Sequence, residues 1–222
     1  MSETSIHHIQ TRKTARFFTL GNLTGDTRHI WLVLHGYGQL GEYFLRNFKD
    51  VQNKDNFIIA PEALSRFYVN ETSGRIGATW MTKEDRELEI EDYLYYLDSI
   101  LDSLNPTIDC RIHVLGFSQG AATACRWALN THYAVNTLVC WAGFFPPDMQ
   151  WNSPKYLDEN FKTYLLYGNQ DEYVNDDLKE QVAKVMNTLP KKPEIITFEG
   201  KHEMVEELLI TLCKSIEHGS GK

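Results

Sequence analysis

The pentapeptide Gly116-Phe117-Ser118-Gln119-Gly120 constrains this chain more than any other stretch. It follows a short apolar run at 110–115 whose length and partly β-branched composition suit a strand, and an alanine-rich run of helical character follows it. A serine at such a strand-to-helix turn is held in a strained backbone conformation that pushes its hydroxyl out above the sheet. A side chain at 116 or 120 would strike the neighbouring strand or helix, and Ala121 and Ala122 extend that close packing. Ser118 is therefore the candidate nucleophile.

The rest of the chain supplies the setting such a turn needs. Residues 29–34 and 56–60 are continuous apolar runs of the kind buried on both faces of a parallel sheet. Residues 6–20 read as an extended pattern ending in Phe17-Phe18-Thr19-Leu20-Gly21, an edge strand leading the sheet, and 136–140, 163–167 and 194–198 as later strands. Helices fall between them. A short one is expected from about Glu42, with Phe44, Leu45 and Phe48 at helical spacing. A longer one follows an N-cap at 82–85, has Ile90, Leu94, Leu97, Leu101 and Leu104 on one face, and ends at Asn105-Pro106. Another runs from near Asn175 to before Pro190, and the last carries Val205, Leu208, Leu209, Leu212 and Ile216. Strands alternating with helices imply right-handed crossovers and a mostly parallel sheet covered by helices on both faces, an α/β class of fold. The long connection at 61–82 reads as a small hairpin over the sheet around a turn at 71–74.

Composition narrows the function. With 222 residues, 42% of them hydrophobic, the chain can build one domain with a large core over 1–222, with 219–222 as a disordered tail. A formal charge of −8, spread along the chain, argues against nucleic acid or an anionic membrane surface as the main partner. The N-terminus has neither a basic nor an apolar signal region, and no apolar run reaches the roughly 18 residues of a membrane span, so no secretion or stable membrane insertion is expected. Cys110, Cys125, Cys140 and Cys213 show no C-x-x-C spacing and fall mostly among apolar neighbours, so they read as buried free thiols in a reducing cytoplasm.

Active sites in parallel sheets lie at the carboxyl ends of the strands. A serine nucleophile there needs an acid and then a histidine later in the chain, each just past a strand end. Asp171 follows the strand at 163–167 and His202 follows the strand at 194–198. Asp148 and Asp158 have no strand immediately before them, Glu172 points elsewhere on the turn, and Asp176 and Asp177 suit the first turn of a helix. His113 lies inside a strand, while His29, His132, His7, His8 and His218 lie at element ends or termini. An imidazole must remove the serine proton during attack, and a carboxylate must hold that imidazole in the right tautomer. The oxyanion of the intermediate needs backbone donors, expected from Gln119 and from Tyr37 in the loop His35-Gly36-Tyr37-Gly38. His35 itself reads as a residue that shapes that loop by a hydrogen bond, without a part in proton transfer.

The strand and His35-Gly-x-Gly38 segment at 31–38, Gly116-Phe-Ser-Gln-Gly120-Ala, Gly168-x-x-Asp171-x-x-Val174 and Gly200-x-His202 resemble the phospholipase/carboxylesterase family of α/β-hydrolases, which includes the acyl-protein thioesterases. The resemblance spans nearly the whole chain. It implies an α/β-hydrolase fold, the triad Ser118, Asp171 and His202, oxyanion donors at Tyr37 and Gln119, and no cofactor or metal. The thioesterase branch usually has an acidic residue where this chain has Gln39, and Trp-Phe-Asp where it has Trp80-Met81-Thr82. A serine carboxylesterase acting through an acyl-enzyme on soluble short- to medium-chain esters is the resulting expectation. An acyl-protein thioesterase, a lysophospholipase and a non-catalytic binder on the same fold are the alternatives. The expected partner is a small-molecule ester, and a homodimer stays open. The segment between Cys140 and Thr163 is too short for a large lid. With the connection at 61–82 it is expected to form an open apolar groove, lined by Phe67, Trp80, Phe144 and Phe145, although these aromatics could equally pack beneath the loops.

Overall fold

Seven strands make one sheet in the computed structural model, which describes residues 4–70, 72–106, 109–174 and 176–219. The elements are β1 Phe17–Leu20, β2 His29–Leu34, α1 Gly41–Leu45, β3 Asn56–Pro61, β4 Ser65–Tyr68, β5 Ile76–Thr79, α2 Arg86–Leu104, β6 Arg111–Phe117, α3 Gln119–Asn130, β7 Val135–Trp141, α4 Pro154–Leu157, β8 Lys162–Gly168, α5 Asp176–Thr188, β9 Glu194–Phe198 and α6 Glu206–Gly219. The sheet order is β1-β3-β2-β6-β7-β8-β9. Only β1, at the edge, is antiparallel to its neighbour β3, and of the extended pattern expected at 6–20 only 17–20 is strand. The nucleophile strand β6 sits in the middle, hydrogen-bonded to β2 and β7.

Side chains alternate across the sheet with the period of two that a strand dictates. Ile30, Leu32 and Leu34 of β2 join Trp80, Tyr93, Leu97 and Trp127 under α2 and α3 on one face. Trp31 and Val33 join Phe48, Trp141, Leu209 and Ile216 on the other face, where α6 packs. Both faces are thus covered, as the uninterrupted apolar strands require. β4 and β5 pair separately as a small antiparallel hairpin. Between β7 and β8 the only helix is the four-residue α4.

Some local expectations change. β6 begins at Arg111 and runs on to Phe117, because Gly116 and Phe117 still pair with Cys140 and Trp141. The N-cap of α2 is Asp85, left-handed at φ 45° and without a side-chain cap bond; Thr82 instead donates from its hydroxyl and its backbone N–H to Glu89. The buried face of α2 includes Tyr93 and Ile100, whereas Leu94 and Leu104 are only half-buried. The start expected near Asn175 and the tail at 220–222 lie outside the described residues, as does Glu71 of the hairpin turn, while Gly219 belongs to α6. Cys125, Cys140 and Cys213 are buried and Cys110 half-buried, and none of the four is in a disulfide. Among the described residues no helix is long and apolar enough to cross a membrane.

His29 and His113 form a buried pair at 3.0 Å, and the far nitrogen of His113 reaches Thr137 Oγ1 at 3.0 Å. The chain His29–His113–Thr137 is satisfied with both rings neutral, each group donating to the next. Burial pushes His113 down to about 3 and lowers His29 too. The unfolded chain therefore takes up protons that the folded chain refuses. The sign follows from linkage: stability is complete above the ordinary histidine value near 6.5 and falls as pH drops from there toward 3. Urea unfolding between pH 7.5 and 5 should show a loss approaching about 1.4 kcal/mol per pH unit from His113, with His29 adding in the same direction. Replacing His113 with Phe should flatten that slope; an unchanged slope would remove the pair as its source.

Candidate active site

Ser118 lies between β6 and α3 with φ 54° and ψ −117°, a backbone conformation that ordinary residues avoid at a cost on the order of 1–3 kcal/mol. Its N–H donates to Trp141 O at 2.8 Å and its carbonyl accepts from Ala121 N–H at 3.0 Å. The turn closes only because no side chain intervenes. A Cβ on Gly116 would stand 2.1 Å from Gly120 O, and one on Gly120 would stand 2.2 Å from Leu34 O. The two flanking glycines are sterically compulsory.

Asp171 sits in the loop after β8 and His202 in the loop after β9. His202 Nδ1 donates to Asp171 Oδ2 at 2.8 Å, the carboxylate being almost fully buried. An ionised carboxylate can only accept, so the proton lies on Nδ1 and Nε2 keeps its lone pair. The other carboxylate oxygen, Oδ1, accepts from Tyr173 N–H at 2.9 Å. The two loops are stitched together by Gln170 N–H to Gly200 O at 2.9 Å and by Gly200 N–H to Asn169 Oδ1 at 3.4 Å. The His202 ring stands between Phe117, 5.1 Å away, and Tyr173, 4.6 Å away and edge-on. Phe117 immediately precedes Ser118, so the structure brings the Asp171–His202 pair beside the strained turn. The competing carboxylate Asp148 is engaged elsewhere, with Arg86 at 2.6 Å and Arg126 at 2.8 Å.

On the other side of Ser118 lies the loop after β2. Among the described residues, the backbone N–H groups of Tyr37 and Gln119 have no acceptor within hydrogen-bond reach. Gln119 opens α3, whose first N–H groups have no intrahelical partner. The loop is held from three sides. Gly38 N–H donates to Ala78 O at 2.9 Å, and Ala78 N–H to Gln39 O at 3.0 Å, which binds the loop to β5. Gln39 Oε1 accepts from Gly36 N–H at 2.8 Å. His35 is fully buried, donates from Nδ1 to Gly36 O at 2.8 Å and accepts at Nε2 from Ala63 N–H at 3.1 Å. Burial lowers its pKa, so His35 is a neutral brace for the loop. The Gln119 side chain completes the frame, donating from Nε2 to Thr79 Oγ1 and Met81 O, each at 2.9 Å, and accepting from Trp80 N–H at 3.1 Å.

The aromatic residues expected in the groove divide. Phe67 is half-buried and packs 5.1 Å from the ring of Tyr37, which is 62% exposed. Phe144 is half-buried against Tyr167. Trp80 and Phe145, in contrast, are core residues, 2% and 3% exposed. Trp80 donates from Nε1 to His35 O at 2.8 Å and packs on Tyr93, while Phe145 packs edge-on against Trp151. The groove lining expected of these two is corrected to internal packing. Each indole or phenyl ring found a core position that a loop sequence does not reveal. Tyr173, 63% exposed over His202, is the mouth residue that the sequence reading passed over, although its place two residues after Asp171 could have marked it. No cluster of three His, Cys, Asp or Glu among the described residues is placed to hold a metal ion.

The family model described as Phospholipase/Carboxylesterase matches residues 24–219. A search of curated proteins returns no match. Among solved structures, acyl-protein thioesterase 2 of Zea mays superposes with a TM-score of 0.73 at 19% identity, covering 94% of this chain and 100% of that one. A carboxylesterase of Bacillus cereus superposes with a TM-score of 0.69 at 11% identity, covering 92% and 94%. These likenesses are of fold.

Proposed function

Because the chain belongs to the phospholipase/carboxylesterase family, a hydrolase family of the esterase and thioesterase type, we propose that it is a serine carboxylesterase working through Ser118, Asp171 and His202. The observation that carries this reading is the 2.8 Å Asp171–His202 hydrogen bond beside the strained Ser118 turn. His202 Nε2 takes the proton of Ser118 as Oγ attacks the ester carbonyl. Asp171 keeps the imidazole in the tautomer that allows this and stabilises its transient charge. The carbonyl oxygen, now negative, receives the N–H groups of Tyr37 and Gln119, one in the braced loop after β2 and one at the start of α3. The imidazolium then gives its proton to the departing alkoxide, leaving an acyl-serine. Water repeats the sequence and releases the acid. Every step is a proton transfer or a displacement at carbon, for which these residues suffice.

Tyr37 paired with Phe67, Tyr173 over His202, and Phe144 one residue beyond Gly143, which abuts Ser118, would give the mouth an apolar rim suited to short or medium acyl chains and small alcohols. The hairpin β4–β5 is bound to the oxyanion loop and to Gln119, so it acts as a wall and not as a cap. Hydrolysis of p-nitrophenyl esters should therefore rise smoothly with concentration, with no jump when substrate passes its solubility limit. Each added methylene should help by at most ~0.8 kcal/mol until the rim is filled. Phe67→Ala should raise KM most for the longer chains. Trp80→Ala should instead cost about 3–5 kcal/mol of stability and impair all chain lengths alike. Sharp activation at an interface, or the absence of Ser118-dependent hydrolysis throughout the series, would overturn this reading. A thioester of the same acyl group, run alongside, separates an esterase from a thioesterase.

A further inference from the structure

The Asp171 and His202 loops form one unit. Among the described residues, the hydrogen bonds of residues 199–204 stay within that loop or go to residues 169–171, with a single exception. The exception is Glu203 O, which accepts from the indole Nε1 of Trp141 at 2.9 Å. Trp141 ends β7, the strand lying between the one that carries Ser118 and the one that leads to Asp171. Its backbone carbonyl also accepts the N–H of Ser118 at 2.8 Å. One residue thus holds the nucleophile by its main chain and the base by its side chain. Its ring is fully buried and packs on Phe198, the last residue of β9, so the indole has little freedom to turn.

The geometry points to Trp141 as a positioning residue that sets the separation between Ser118 and the Asp171–His202 unit, an inference that rests on the esterase reading above. Without its N–H, the unit keeps its internal bonds and the Phe117 contact, but loses the one hydrogen bond that, among the described residues, ties the His202 loop to the Ser118 side. The base then remains correctly oriented by Asp171 while its distance to the nucleophile loosens. A misplacement of about 1 Å at a reacting pair can cost on the order of a hundredfold in rate.

The test compares wild type, Trp141→Phe, Trp141→3-benzothienylalanine and Ser118→Ala on p-nitrophenyl butyrate, with active sites titrated by a fluorophosphonate. The benzothienyl side chain keeps the shape of the indole and removes only the N–H. Both Trp141 variants should lose about 10- to 100-fold in kcat per titrated site and in labelling rate, with KM within about twofold and the pH profile unmoved in shape. Should the phenyl variant fail to fold, the isostere decides alone. A kcat per site within twofold of wild type in the isostere overturns the inference, because packing is then all that the ring contributes. Fewer titratable sites at undiminished kcat, or a change confined to KM, overturns it equally. A wild type without Ser118-dependent turnover would count against the esterase reading itself, whereas a normal wild type beside an unimpaired isostere counts against the tryptophan link alone.

Discussion

Ser118→Ala is expected to lower kcat by about ten thousand- to a millionfold and to abolish fluorophosphonate labelling. The size of the effect follows from what remains. Alanine leaves the N–H groups of Tyr37 and Gln119, the proposed oxyanion donors, and the Asp171–His202 pair in place, but nothing to form the acyl-enzyme. Water would have to attack directly, unassisted by covalent catalysis. Folding should survive, since the substituted alanine would inherit the same backbone at φ 54° and lose only the hydroxyl. Substrate affinity should change little, because the serine oxygen contributes chiefly after attack begins. The measurement is a progress curve at high enzyme concentration together with the denaturation midpoint. Labelling that persists in the variant would place the nucleophile elsewhere.

Asp171→Asn should cost about ten thousandfold in kcat with the loop intact. Oδ1 of the carboxylate accepts Tyr173 N–H and Oδ2 accepts the imidazole proton, so both oxygens act as acceptors. An amide has one acceptor. If its oxygen stays on Tyr173, its NH2 faces His202 and forces the proton onto Nε2, where it blocks the attack by Ser118. Asp148→Asn is the matched control. That carboxylate joins Arg86 and Arg126, so its loss should weaken the packing of the segment around 148 and leave kcat within a few-fold. Comparable losses from both substitutions would mean that Asp171 orients nothing in particular.

The parts of this site that were legible in the sequence are those fixed by the backbone. Continuous apolar runs at 29–34 and 56–60 suit strands buried on both faces, and a parallel sheet then dictated where loops must converge. The residue types Asp171 and His202, each just beyond a strand, followed from that rule. Trp80 and Phe145 were beyond its reach. A loop aromatic can face a groove or the core with the same local sequence, and the deciding bond, Trp80 to His35 O, spans 45 positions. The left-handed Asp85 at the start of α2 was hidden likewise, because Thr82 and Asp85 both resemble ordinary caps and the choice was settled by Glu89 reaching back to Thr82.

The sheet order has a consequence for the order in which the molecule acquires its chemistry. The central strands β2, β3, β6 and β7 are complete by Trp141, and with them the strained turn at Ser118 and the N–H groups of Tyr37 and Gln119. Asp171 and His202 follow β8 and β9, the pair that closes the far edge and leaves the ribosome after the central strands. A chain can therefore have a well-formed nucleophile and a buried core while remaining chemically silent. Regain of hydrolysis reports the docking of those two edge strands, an event that burial of the central tryptophans does not register.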